Sequence, residues 1–158
     1  MIRKIVLEKS SVKKKHCILN KDVYNEKDQI SKINQLYLNE KFVGYDDIEK
    51  CIKKKISSYK AQDKKKGRLD NKSFITYEQT LEKLIVTKSR CHYCRCFSLL
   101  MYKDRREKRQ WTLDRLDNSI GHSSDNTVIS CLECNLQKRC RSEKKFKFSK
   151  QMRLIKEN

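Results

Sequence analysis

The chain has 158 residues and 19.0 kDa, with 39 Lys and Arg against 20 Asp and Glu, a formal charge of +19 at pH 7. That length suits one domain, or one domain with a helical extension, and a mean hydropathy of −0.90 leaves material for only a small core. No window approaches the roughly 18 consecutive apolar residues of a membrane span, and residues 1–16 are basic without the apolar run of a signal peptide, so transmembrane, secreted and collagen-like classes are not expected.

Residues 1–26 carry no sustained period, although Ile5 with Leu7, and Ile18 with Leu19, suit short strands. Ile30, Ile33, Leu36, Tyr37 and Leu38 then fall mainly on one face of a helix near 27–41. A second helix is predicted from Asp46 to Lys65, with Ile48, Cys51, Ile52, Ile56 and Tyr59 apolar at three- and four-residue spacing and a Lys-rich opposite face. Residues 66–73 read as an exposed loop, and Thr76 as the N-cap of a third helix, with Glu78 shortly after it and Leu81, Leu84 and Ile85 on its apolar side. The stripes are the buried faces of a small helical bundle. The Lys-rich face is a solvated face by default, or a contact for nucleic acid.

Composition changes near residue 90. Six of the 8 Cys lie between Cys91 and Cys140. In a reducing compartment, cytoplasm or nucleus, clustered cysteines bind metal more often than they form disulfides. Cys91-His-Tyr-Cys94 and Cys131-Leu-Glu-Cys134 are two CxxC knuckles, each able to aim both sulfurs at one ion. Together they predict a structural Zn2+ site of four thiolates. Cys96 and Cys140 offer other registers, but their spacings suit a knuckle poorly, and His92 reads as a surface residue. The 36 residues between the knuckles must form an insertion. Within it, residues 110–117 alternate around Trp111 and Leu113 as a strand, 118–126 form a polar loop, 127–130 a second strand, and a helix follows from about 132 to 141. That order could bring Asp114 and Asn135 together, a donor pair suited to a hard divalent ion that keeps several waters.

The block Trp-Thr-Leu-Asp114-Arg-Leu-Asp-Asn, Gly-His122, Asp-Asn126 and Cys131-x-x-Cys134-Asn135 resembles the HNH, or ββα-metal, nucleases. Within them it looks most like the zinc-bearing branch that includes the phage endonuclease VII resolvases. The resemblance covers residues 88–142, about one third of the chain. It implies an α+β fold: a basic, mainly helical region at 1–88, a zinc-bound module at 89–142, and a basic helix or tail at 143–158. It further implies that Asp114 and Asn135 hold a catalytic Mg2+ or Mn2+, and that Asn126 braces the loop. The residue after the metal-binding Asp is normally the His that activates water, and here it is Arg115, which stays protonated and cannot serve as a general base. Either His122 supplies the base, or metal-bound water is used directly with Arg115 stabilising the phosphate. His122 reads equally as a turn-capping loop residue, and Asp117 as a further ligand or a turn cap.

The expected activity is therefore hydrolysis of DNA phosphodiester bonds, on branched or structured DNA, with Lys138, Arg139 and Arg141 gripping flanking phosphates. The rival is a non-catalytic zinc module that binds nucleic acid, a transcription or packaging factor on a decayed nuclease fold. A third reading has the N-terminal helices form a homodimer or dock on a larger complex. Abundant Lys, Asn and Ile with no Pro suits an A/T-rich, virus-encoded sequence, which weakens the charge argument for Lys. The placement of Arg105, Arg106, Arg109, Arg115, Arg139 and Arg141 in the module survives that objection.

Overall fold

A computed structural model describes residues 25–152, so the strands expected near residues 5–7 and 18–19 lie outside the described residues. Three helices come first: α1 (Glu26–Tyr37), α2 (Tyr45–Lys65) and α3 (Tyr77–Val86). Asn25 caps α1 by accepting from the Lys27 amide. The helix buries Gln29, Ile33 and Leu36, an i, i+4, i+7 set, and ends before Asn39, whose φ of 57° is left-handed. Tyr37 and Leu38, counted on the apolar stripe from sequence, are exposed instead because they lie off that face. α2 buries Tyr45, Ile48, Ile52, Ile56, Tyr59 and, on the same face, Asp63. Thr76 caps α3 as expected, but its reciprocal partner is Gln79 rather than Glu78, because the capping box needs a side chain at the third helical position.

The second half contains β1 (Trp111–Arg115), β2 (Thr127–Cys131), α4 (Leu132–Lys138) and α5 (Glu143–Gln151). The strands pair antiparallel, from Trp111 opposite Cys131 to Arg115 opposite Thr127. The described residues are thus mixed α+β, five helices with one two-stranded sheet. None of their helices is long and apolar enough to cross a membrane.

Strand periodicity gives β1 two different neighbours. Trp111 and Leu113 enter the same apolar cluster as Ile33, Leu36, Ile52 and Leu84, so the core runs straight across the boundary expected near residue 88. Each such side chain stabilises the fold by about 1.5–3 kcal/mol through burial. Thr112 and Asp114 turn the other way, toward Ser130, Asn135 and Lys138.

Two polar side chains tie the halves together. Gln29 accepts from the amides of Leu100 and Met101, at 2.7 and 3.2 Å, fixing α1 to the irregular segment before β1. Lys55 of α2 donates to the Trp111 carbonyl and, at 3.0 Å, to Gln110. Burial pulls its ammonium down to about 7.

Candidate functional site

The four knuckle cysteines converge. The Sγ atoms of Cys91, Cys94, Cys131 and Cys134 all lie within 4.8 Å of one another, close enough to hold one metal ion. Cys94 and Cys131 are 3.8 Å apart, about the edge of a tetrahedron whose metal–sulfur distance is ~2.3 Å. Local structure builds each knuckle. After Cys94 the chain turns through Arg95 at φ 64°, so that the Cys91 amide reaches the Cys96 carbonyl. The His92 amide donates to Ile129, which docks this turn on β2. Cys131 ends β2 and is also the N-cap of α4, its sulfur accepting from the Cys134 amide.

Crowding polarises the thiols. Hydrogen bonds from Cys131 and Cys134 hold Cys91 well below its ordinary range, and one from Cys134 brings Cys131 down to about 7. Cys134, the donor to both, is pushed up. Cys96 lies against the same group, hydrogen-bonded to Cys131 and Cys91, whereas Cys140 is exposed and apart from it.

α5 covers this centre. Phe146 is buried against Tyr93, with ring centroids 5.0 Å apart, and Gln151 donates to the Tyr93 carbonyl. His92 is not a free surface residue, because its Nε2 meets Glu143 of α5 at 2.6 Å. Residues 143–151 are therefore a packed helix and not a tail.

Beside the thiols sits a buried polar cluster on the α4 side of β1. Asp114 Oδ2 accepts from the Tyr93 hydroxyl at 2.5 Å and pairs with the Lys138 ammonium at 3.1 Å. Lys138 is wholly buried and also donates to the Arg115 carbonyl, so the surface role expected for it gives way to an internal ion pair. Asn135 donates to Thr112 Oγ1 at 3.0 Å, which places it next to Asp114 on the same side of β1. Asn126 locks the intervening loop: its Oδ1 accepts from the Asp117 amide, and its Nδ2 donates to the carbonyls of Asp117 and Gly121. Asp117 caps a turn by accepting from the amide and hydroxyl of Ser119. Arg139 and Arg141 are exposed, and the Arg141 guanidinium lies 5.6 Å from the Phe146 ring.

On the other side of β1, the loop meets α2. The Asp63 carboxylate accepts from the His122 amide at 2.6 Å and holds His122 Nδ1 at 2.9 Å. Tyr59 lies against the imidazole at 4.8 Å, and Arg115 approaches Asp63 at 3.7 Å while donating to Ile120. Gly121 permits this close docking, because a Cβ there would lie 2.5 Å from the Arg68 carbonyl oxygen. Burial lowers the His122 pKa below its ordinary 6.5, against the opposing pull of Asp63.

Sequence reasoning missed Asp63 and Tyr93. Asp63 had a legible signal, since it continues the Ile52, Ile56, Tyr59 stripe at helical spacing and is the only acid between residues 50 and 69. Tyr93 lies inside the first CxxC, where nothing marks it as a partner of a residue 21 positions away.

No family model, curated protein or solved structure matches the chain.

Proposed function

We propose that this chain is a metal-dependent endonuclease that hydrolyses DNA phosphodiester bonds, held in shape by a structural Zn2+ on Cys91, Cys94, Cys131 and Cys134. The observation that carries the reading is the placement of Asp114 and Asn135 side by side at the junction of β1 and α4, directly behind the four-thiol centre. All-sulfur ligation with near-tetrahedral spacing suits zinc, and closed four-cysteine sites are structural.

The donors beside it suit Mg2+ or Mn2+. Tyr93 and Lys138 occupy Asp114 Oδ2, and among the described residues no hydrogen bond reaches its Oδ1. Asn135 uses its amide nitrogen internally, which turns the carbonyl oxygen away from Thr112. One carboxylate oxygen and one amide oxygen match a small hard cation that keeps several waters. When bound, such an ion supplies Lewis-acid polarisation of the scissile phosphate. The chain's own residues do the rest. Lys138 and Tyr93 fix the Asp114 carboxylate, Asn126 holds the loop, and Arg139 and Arg141 offer exposed guanidiniums to flanking phosphates.

The test uses the zinc-loaded protein with Mg2+ or Mn2+ on plasmid and branched DNA. Cutting is expected, and Asp114→Ala should abolish it with the zinc content unchanged. Cutting that survives this substitution removes Asp114 from the site.

A second reading, a non-catalytic zinc module that binds nucleic acid, is favoured by one observation. The Asp114 carboxylate already has a buried ammonium beside it. Salt-sensitive DNA binding without cleavage under either metal would select that reading.

A further inference from the structure

We infer that Asp63, on the helix α2 outside the nuclease-like module, is a positioning residue that holds His122 with its Nε2 bare, making His122 the proton acceptor for the attacking water. The inference rests on the nuclease reading and supplies the general base that Arg115 cannot provide.

The geometry fixes the tautomer. Both carboxylate oxygens of Asp63 lie 2.9 Å from His122 Nδ1, and one of them also receives the His122 amide at 2.6 Å. A carboxylate accepts only, so Nδ1 carries the hydrogen, and a neutral ring then has its lone pair on Nε2. Among the described residues no hydrogen bond reaches Nε2. The ring cannot turn away freely, because Tyr59 lies against it and Gly121 is pressed onto Arg68 behind it. A cavity of about 20 Å³ adjoins His122, Asp63 and Ser123, the room that one water requires.

The charged and titratable groups around the imidazole keep it neutral. Asp63 and Tyr59 face it from α2, Arg115 from β1, and Asp114 adds its field from the far side of the strand. Burial and Arg115 disfavour the imidazolium, while the two carboxylates favour it. In the reaction, a water O–H bond breaks and its proton goes to Nε2 while the oxygen bonds to phosphorus. The bond from phosphorus to the sugar oxygen breaks, and that oxygen leaves with the electron pair and takes a proton from solvent. His122 then returns its proton to solvent.

The experiment combines 15N–1H correlation spectra of the zinc-loaded full chain with cleavage kinetics against pH. The chain has 3 His, and the His122→Gln spectrum identifies the His122 signals by their loss. The expected result is a neutral His122 with hydrogen on Nδ1 and none on Nε2. His122→Gln should cut about 10²–10⁴-fold more slowly. Asp63→Asn should lower kcat while leaving DNA affinity and zinc content alone, and should move the acidic limb to lower pH, because the carboxylate that raises the His122 pKa is gone. An Nε2–H tautomer in the wild type overturns the inference even if Asp63→Asn fails to fold. Full cutting by His122→Gln overturns it while leaving the nuclease reading intact. Wild-type protein that binds DNA but cuts nothing overturns the nuclease reading, and the base role with it.

Discussion

The two halves of the molecule are held by different physics. Around α1, α2 and α3, large aliphatic side chains such as Ile33, Ile52, Leu81 and Leu84 are almost wholly buried, so burial of apolar surface does the stabilising. Around the knuckles the buried cluster consists of Cys91, Tyr93, Cys131, Cys134 and Phe146, too little to order the long irregular stretch between α3 and β1. There the four thiols stand where a core would be. A chain this polar can fold compactly because it needs only one conventional core, provided that an ion organises the rest. The hairpin belongs to both regimes, since Trp111, Leu113 and Ile129 join the helical cluster while Cys131 joins the thiols.

The contrast can be broken most forcefully at the metal. Chelation, or Cys134→Ser, should cost on the order of 10 kcal/mol in the cysteine half. Limited proteolysis should then cut around residues 91–110 and release α5, while helical circular dichroism from α1–α3 falls only in part. Complete loss of helix on chelation would show that the helical core cannot stand without the hairpin's face. From the opposite side, Leu84→Ala removes a fully buried side chain and should cost about 2–5 kcal/mol in thermal or denaturant unfolding. Metal stoichiometry at low temperature should not change, and loss of the ion in that variant would mean that the thiol cluster depends on the helices. The smallest probe is Thr76→Ala, which deletes the α3 cap and should cost about 1 kcal/mol. Hydrogen exchange should quicken in the first turn of α3 and leave the Cys91 and Cys131 amides protected.

What was legible in the sequence follows the range of each interaction. The helical stripes, the Thr76 cap, the knuckles and the order strand, loop, strand, helix are all written within a few residues of themselves. Asn126 binds the backbone of Asp117, nine positions away, and its place in the loop was equally readable. The fates of Lys138 and His122 were not. Lys138 sits in a run of basic residues, and only the packing of α4 on β1 turns its side chain inward to Asp114. His122 depends on Asp63, 59 positions earlier, an acid that local reading assigns to a solvated Lys-rich helix. The boundary near residue 88 failed for a related reason. A change in cysteine content marks where chemistry begins, but the apolar residues of β1 had always to be covered by something, and α2 with α3 is what covers them.

One strand, β1, is read on both faces. Trp111, Leu113 and Arg115 address the helices and Asp63, and Thr112 and Asp114 address α4. Insertion or deletion of a single residue in β1 would exchange these faces, driving Asp114 into an aliphatic core and presenting Leu113 to Lys138. Length variation in this lineage is thereby confined to the loops on either side, and the five residues of β1 can change only by substitution, each constrained by its own face.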